Sequence, residues 1–219
     1  LTMTDILRTP DDIRVFCENE SADAAVEAAI NGDGLEIYLT ATEARVKRIL
    51  LRWNFATRTP VKVMGDKWER AYGDMCWHSL SGEIFMPWYF LASDGQAVTG
   101  YGVKARPNGY VCFQYDASGI TCHIDVRNGG MGVCLNGRRL HACTVICERY
   151  EGITEFEAAK RFCARMCTDP VLPEAPVYGS NNWYYAYGVS RKEDIIKDCE
   201  IIASLTKGLA NRPYMVIDG

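Results

Sequence analysis

Two stretches near the end of the chain decide which fold to expect: Pro176-Val-Tyr-Gly-Ser-Asn-Asn-Trp-Tyr-Tyr-Ala-Tyr-Gly188 and Arg212-Pro-Tyr-Met-Val-Ile-Asp-Gly219. Each contains a strand-like segment, and a helical pattern lies between them, so together they predict one strand–helix–strand turn of a parallel α/β repeat. A single repeat cannot cover both faces of its strands, because parallel sheets are stable only when helices or further strands cover them. We therefore expect the chain to be a piece of a longer protein, and we leave open whether the natural start precedes Leu1.

The segment between these two strands has the pattern of an amphipathic helix. Its apolar residues recur at helical spacing and are Ile195, Ile196, Cys199, Ile202, Ala203 and Leu205. Ser190 and Glu193 have the spacing of a capping box, in which the hydroxyl accepts a hydrogen bond from the third helical amide and the carboxylate reaches back to the cap. Gly208 occupies the usual stop position. The wide apolar stripe predicts packing against a sheet.

Residues from about 34 to about 150 have the pattern of β-strands throughout. Leu35, Ile37 and Leu39 alternate with polar neighbours, as in a half-buried strand. Turn dipeptides recur at spacings suited to consecutive antiparallel strands: Asp94-Gly95, Asn108-Gly109, Ser118-Gly119, Asn128-Gly129 and Asn136-Gly137. Residues 121–126 and 140–147 carry apolar or small side chains on both faces, which is typical of central strands. The sequence therefore predicts a large antiparallel β-sandwich.

A helical pattern follows at Thr154, which forms a second capping-box spacing with Glu157. The predicted apolar face of this helix consists of Phe156, Ala159, Phe162, Cys163 and Met166. Three prolines then fall within seven residues, a density that forbids helix and weakens strand pairing. We predict a β-sandwich with a closing helix over residues 1–167, a linker over 168–176 and an α/β unit over 177–219.

Composition excludes several classes of protein. The 219 residues carry a net charge of −4 and are 48% hydrophobic, which describes an ordinary globular chain without the basic field that nucleic-acid binding requires. We expect no nucleic-acid partner. The sequence contains no run of 18 apolar residues and no signal-peptide pattern, so we expect no membrane partner.

The cysteines and histidines indicate neither a disulfide framework nor a metal site. The ten cysteines are scattered along strand and helix patterns without a Cys-x-x-Cys pair, which favours free thiols in a reducing cytoplasm. The three histidines lack the spacing of metal ligands. We therefore expect no bound metal.

Five segments between residues 66 and 219 jointly resemble a known family. They are Asp66-Lys-Trp-Glu-Arg-Ala-Tyr-Gly-Asp74, Met86-Pro-Trp-Tyr-Phe-Leu91, Asp125-Val-Arg-Asn-Gly-Gly130, residues 178–188 and residues 212–219. Their order is similar to that in the amino-terminal part of a retaining α-galactosidase of the melibiase type, near glycoside hydrolase family 36 of gut bacteria. In that family a large β-sandwich precedes a (β/α)8 barrel. The resemblance implies that residues 177–219 begin a truncated barrel and that the full-length bacterial parent is a cytoplasmic, cofactor-independent hydrolase of terminal α-galactosides.

The resemblance also implies roles at the carboxyl edge of the predicted strands, where Asn181, Asn182, Trp183 and Asp218 fall. In the family a tryptophan after the first barrel strand lines the sugar pocket, which Trp183 matches, and an acidic residue after the second strand binds galactose hydroxyls, which Asp218 matches. The family places both catalytic carboxylates on later strands, so we expect none in this chain. Two alternatives stay open: Trp183 as part of the barrel core, and Asp218 as the cap of a following helix.

Other candidate residues have two interpretations. Trp68, Arg70 and Asp74 could form a loop at the pocket rim, or an ordinary hairpin with a surface ion pair. Gly129 and Gly130 could suggest a phosphate cradle, but no Lys-Ser/Thr follows them and no helix begins there, which favours a hairpin turn.

The predicted partner is an oligosaccharide substrate. Two rivals remain: a galactosyl-transferring relative of the raffinose-synthase kind, and a non-catalytic carbohydrate-binding or structural β-sandwich. The linkage, the sugar preference and the formation of a homo-oligomer by the full-length protein stay open.

Overall fold

The computed structural model describes residues 6–57, 61–68 and 73–218. The chain divides into two compact units, Leu1–Thr168 and Asp169–Gly219. The boundary falls where the proline-rich segment starts, and residues 168–178 contain neither helix nor strand. Within the described ranges, no helix is both long enough and apolar enough to cross a bilayer. All ten cysteines are free thiols.

The first unit consists mainly of antiparallel strands. In chain order its elements are β1 (Asp12–Cys17), β2 (Ala25–Asn31), β3 (Gly34–Thr40), β4 (Arg45–Asn54), β5 (Lys62–Gly65), β6 (His78–Ser79), β7 (Ser81–Pro87), β8 (Tyr89–Ser93), β9 (Ala97–Val103), β10 (Tyr110–Asp116), β11 (Gly119–Asp125), β12 (Val133–Cys134), β13 (Arg139–Glu151) and α1 (Glu155–Met166). One sheet has the order β1-β4-β11-β10-β7 with β12 beside β4, and the other has the order β2-β3-β13-β9-β8-β5-β6. Strands β1 and β2 precede the region in which the sequence indicated strands.

The two sheets share one hydrophobic core, which confirms the antiparallel β-sandwich. Its largest fully buried side chains include Trp53, Tyr101, Tyr115 and Phe90. The rings of Phe90 and Tyr101 stack with centroids 4.8 Å apart. Burying each such side chain contributes about 1.5 to 3 kcal/mol, so this inter-sheet cluster is a main source of stability.

The two strands expected to be central are covered differently. In β13 all five residues from 142 to 146 are buried, as expected for a strand covered on both faces. Strand β11 is central in its sheet, between β4 and β10. One of its faces, however, is only half-buried, and it carries Thr121, His123 and Asp125. The expectation that both faces of residues 121–126 are covered was wrong, and the half-buried face is the outer surface of the sheet.

Most of the predicted turns carry the left-handed backbone that their dipeptides favour. Asn136 and Gly137 have φ of +51° and +78°, and Gly95 has φ of +83°. The pair Asn108-Gly109 is an exception, because the left-handed residue of that connection is Arg106, with φ of +65°. Asn108 instead donates its side-chain amide to the carbonyl of His141 at 2.9 Å. Its role is to tie the loop to β13.

Helix α1 begins where the sequence indicated, but it buries a different set of residues. The Thr154 hydroxyl accepts a hydrogen bond from the Glu157 amide at 3.2 Å. The Glu157 carboxylate pairs with Lys160 and Arg161 instead of returning to the cap. Phe156 is 75% exposed, whereas Ala158 and Phe162 are fully buried. The predicted apolar face was therefore wrong at Phe156 and at Cys163, which is also exposed, and the buried face includes Ala158 instead.

The second unit contains a strand–helix–strand repeat. Its elements are β14 (Gly179–Asn181), the short helix α2 (Trp183–Ala186), α3 (Lys192–Leu205) and β15 (Tyr214–Val216). Strands β14 and β15 are parallel. The expected capping box at the start of α3 is absent, because the N-cap is Arg191 and it makes no side-chain cap bond. Gly208, with φ of +89°, follows the end of α3 in the predicted stop position.

Candidate functional site

The carboxyl ends of β14 and β15 lie side by side and bring two predicted site residues close to each other. In the parallel register Asn181 pairs with Val216, so the loops that follow leave the sheet at the same edge. The Asn181 Nδ2 atom donates a hydrogen bond to Asp218 Oδ2 at 2.9 Å. This contact joins residues 37 positions apart in the sequence and fixes the orientation of an exposed carboxylate.

Asn182 forms the buried support of this edge. Its side chain is fully buried. Its Oδ1 atom accepts a hydrogen bond from the Asp218 backbone amide at 2.8 Å, and its Nδ2 atom donates to the Ser190 hydroxyl. A buried amide without partners would cost about 1 to 3 kcal/mol, so these bonds tie the loop of Asp218 to the start of α3. The sequence placed Asn182 at this edge but did not indicate its supporting role.

Trp183 begins helix α2 directly after the strand. Its backbone amide donates to Asn181 Oδ1 at 2.7 Å, so Asn181 orients both the tryptophan backbone and the Asp218 carboxylate. The indole is 39% exposed and meets the Tyr187 ring edge-on, with centroids 6.0 Å apart. Trp183 is thus a partly exposed aromatic side chain in this unit.

Together these side chains provide groups suited to binding a sugar. An exposed indole can cover the apolar face of a sugar ring, and a carboxylate makes strong, charge-assisted hydrogen bonds to hydroxyl groups. Asp218 follows β15 by two residues, and it is exposed. Both of its carboxylate oxygens can accept hydrogen bonds from a ligand in addition to the Asn181 bond.

The predicted rim residues belong to the first unit. Trp68 is 59% exposed and stacks on Tyr110, with centroids 4.6 Å apart and planes 15° apart. Trp88 meets the same Tyr110 ring edge-on at 4.5 Å. Asp74 is exposed, in a segment without regular structure, and Arg70 lies outside the described residues.

Tyr110 was missed by the sequence reasoning, although it joins two tryptophans of the quoted segments. Burial in this cluster raises the pKa of Tyr110 to about 12, so its phenol stays protonated at neutral pH. Trp88 has a left-handed backbone with φ of +68° and lines an apolar hollow of about 370 Å³ together with Met166. The position of Tyr110 in the sequence did not indicate its contact with Trp68, because only the fold brings the two rings together.

A second polar feature missed from the sequence is an ion pair on the outer face of the first sheet. Arg52 donates from Nη1 and Nη2 to the two carboxylate oxygens of Asp116, at 3.0 and 2.9 Å. Arg52 also donates to the hydroxyls of Ser118 and Thr121. Chiefly because of the Arg52 bonds, the pKa of Asp116 falls to about 2. The guanidinium of Arg52 on β4 and the carboxylate of Asp116 on β10 neutralise each other across the intervening strand β11. This ion pair therefore acts as a structural contact.

The described residues contain no group of three or more His, Cys, Asp or Glu side chains that could hold a metal ion.

Fold and geometry define the chain as a mainly β, two-sheet unit joined to a strand–helix–strand unit. Comparison with protein-family models found no match, and comparison with curated proteins found none either.

Proposed function

We propose that this chain is the amino-terminal part of a retaining glycoside hydrolase that acts on terminal α-galactosides. In this proposal the β-sandwich is the amino-terminal domain, and residues 177–219 are the first strand–helix–strand of a catalytic (β/α)8 barrel. The observation that carries the proposal is the placement of Asn181, Trp183 and Asp218 at the carboxyl ends of two parallel strands. Barrel enzymes hold their ligands at this edge.

The surface of the second unit supports the barrel assignment. Helix α3 has no buried residue, although its sequence is amphipathic. Ile196 and Leu205 on the helix, and Val216 and Ile217 at the second strand, are all largely exposed. Exposed apolar side chains that gather on one part of a protein are normally covered by other structure. Further strands and helices of a barrel would cover it.

The proposed roles follow from the chemistry of each group. Trp183 stacks on the galactose ring, Asp218 accepts hydrogen bonds from its hydroxyls, and Asn181 holds the Asp218 carboxylate in place. Retaining hydrolysis also needs two carboxylates about 5 to 5.5 Å apart, one to attack the anomeric carbon and one to protonate the leaving oxygen. The proposal assigns both to later barrel strands outside this sequence.

Hydrolysis of an aryl α-galactoside by a version of the protein extended through a whole barrel tests the proposal. We expect Asp218→Ala to lower kcat/KM by roughly 10- to 150-fold, because one charge-assisted hydrogen bond contributes about 1.5 to 3 kcal/mol. Glu174→Ala, in the exposed segment that opens the second unit, is the matched control and should stay within twofold of the parent.

Two results would contradict the proposal. One is an Asp218→Ala variant whose kcat/KM equals that of the control. The other is turnover above the buffer blank by the 219-residue chain itself, because the attacking and protonating carboxylates would then lie within it.

The aromatic cluster on the first unit favours a second candidate, a non-catalytic carbohydrate-binding sandwich. Trp68 offers an exposed ring face supported from below by Tyr110, an arrangement suited to stacking on a sugar ring. Binding of an α-galacto-oligosaccharide to the 219-residue chain separates the two candidates. Loss of binding in Trp68→Ala but not in Asp218→Ala favours the second candidate, and the reverse favours the first.

A further inference from the structure

A polar hollow of about 430 Å³ lies on the first unit, beside β1, β4 and β11. The side chains that matter in its lining are Phe16, Lys47, Arg48, Asp125 and Arg127. The neighbouring Ile49 is fully buried in the inter-sheet core, so Arg48 lies on the opposite, outer face of the sheet. The hollow shares no residue with the carboxyl-end site or with the Trp68 cluster.

Arg48 is positioned by its neighbours on both sides. It pairs with Phe16 across β1 and with Asp125 across β11. Its guanidinium carbon lies 4.2 Å from the centroid of the Phe16 ring, a cation–π contact that restricts its motion. Within the described part of the chain, the Arg48 side chain donates no hydrogen bond and belongs to no ion pair. Its five donors are therefore available to a ligand.

Lys47 reaches the same hollow because of a β-bulge. Phe16 pairs with Arg48, but Cys17 pairs with Val46, which leaves Lys47 without an opposite residue. Consecutive side chains of a regular strand point to opposite faces, whereas a bulge redirects one of them. Lys47 and Arg48 are accordingly both half-buried, and both line the hollow. Lys47 also has no ion-pair partner among the described residues.

The one carboxylate of the hollow is already neutralised. Arg127 donates from Nε to both oxygens of Asp125, at 3.0 and 2.9 Å, and from Nη2 to one of them. These bonds are the main reason why the pKa of Asp125 is lowered. With Asp125 and Arg127 paired to each other, Lys47 and Arg48 leave two positive charges in the hollow.

We propose that this hollow binds a phosphate dianion, either free or carried by a small phosphate ester. The charge of a dianion matches the two unpaired cations, and phosphate oxygens accept hydrogen bonds from both the guanidinium edge and the ammonium. A nucleic acid would need a basic surface that continues along its backbone, whereas the chain carries a net charge of −4. The site is therefore a discrete pocket for one phosphate group, and it does not depend on the glycosidase proposal.

Isothermal titration of the full 219-residue chain with inorganic phosphate tests this assignment at low ionic strength. Sodium chloride at matched ionic strength serves as the control titrant. We expect saturable binding at one site for phosphate and none for chloride. Lys47→Gln and Arg48→Gln should each weaken phosphate binding by roughly 10- to 150-fold or abolish measurable binding, since each removes one charge-assisted contact.

A matched control is Lys62→Gln, because Lys62 is exposed on β5 in the other sheet. The dissociation constant of this variant for phosphate should stay within twofold of that of the parent. A second titration with glucose 6-phosphate separates the two sources of phosphate: tighter binding than inorganic phosphate indicates an ester, and equal or weaker binding indicates the free anion.

Absence of saturable phosphate binding by the parent would overturn the proposal, as would equal affinity in the parent and in both hollow variants. Far-UV circular dichroism of each variant shows whether it has folded. Should Arg48→Gln fail to fold, Lys47→Gln decides the question, because Lys47 lies at the bulge and pairs with no residue of β1.

Discussion

At the scale of single residues, the need to satisfy buried polar groups overrides local helix signals. Ser190 has the position of an N-cap, yet its hydroxyl accepts a hydrogen bond from the buried Asn182 amide. Loss of a cap costs about 1 kcal/mol, whereas an unsatisfied buried amide costs about 1 to 3 kcal/mol. The larger cost decides the outcome, and α3 begins with Arg191 as its N-cap.

The Arg52–Asp116 pair predicts a contribution to stability that depends on pH. The pKa of Asp116 is lowered to about 2, against about 3.9 for an unfolded aspartate. Its contribution is therefore fully present above pH 4 and is lost as the pH falls through 2. Because the Asp116 carboxylate is partly exposed, screening reduces the contribution to about 1 kcal/mol.

Urea unfolding of the parent and of Asp116→Asn at pH 6 and at pH 2 measures this contribution. We expect the parent to be more stable at pH 6 by about 1 kcal/mol and the difference to shrink toward pH 2. Comparison with the variant cancels the other carboxylates, which titrate in both proteins. If the free energies of unfolding of the parent and of Asp116→Asn differ by the same amount at both pH values, the ion pair contributes nothing to stability.

At the scale of elements, α1 shows that periodicity locates a helix more accurately than it identifies the buried face. The phenyl ring of Phe162 packs against Gly100 and Gly102 of β9, where a Cβ would collide with the ring. These two glycines form a depression in the sheet that fits one large side chain. Phe156, six residues earlier on the same helix, stays exposed.

Truncation of the two phenylalanines of α1 tests this packing. Phe162→Ala should lower the free energy of unfolding by about 3 to 5 kcal/mol, the usual cost of removing a fully buried phenyl ring. Phe156→Ala is the matched control on the same helix and should change it by no more than about 0.5 kcal/mol. Guanidinium unfolding monitored by circular dichroism measures both. Equal losses in the two variants would place the docking face of α1 elsewhere.

At the scale of the whole molecule, the two units differ in how well they are buried. The sandwich has a continuous core between its sheets and a second cluster beneath α1. In the described part of the second unit, Asn182 is the one fully buried residue, and the apolar side chains of α3 remain accessible. Local opening is easiest where few apolar contacts must be broken.

Limited proteolysis of the folded chain with thermolysin should therefore cut first within residues 168–218. Mass spectrometry of the early fragments locates the cuts, and a fragment that ends near residue 168 should accumulate. Early cuts in the turns between β8 and β13, with the second unit intact, would contradict this order of stability.

The sequence by itself determined the local features of this protein. Alternation and turn dipeptides predicted the strands from β3 to β13, helical spacing located α1 and α3, and the last two strand-like segments predicted a parallel pair. These features depend on residues a few positions apart, whose backbone preferences and apolar periods act locally. Strands β1 and β2 lay outside the predicted region, although Asn31-Gly32, with φ of +60° at Gly32, is the same kind of turn signal and joins β2 to β3.

Tertiary structure decided what depends on contacts between distant parts of the chain. It placed β13 between β3 and β9, oriented α1 over the two glycines of β9, and set Tyr110 beneath Trp68. At the candidate site, the strand ends could be located from the sequence, but the Asn181–Asp218 bond arises only when two strands pair in parallel. The bulge that brings the side chains of Lys47 and Arg48 into the same hollow likewise exists only in the pairing of β4 with β1. Turn residues set the register of strands that are consecutive in the sequence, whereas the register of strands distant in the sequence depends on burying the apolar faces of both sheets together.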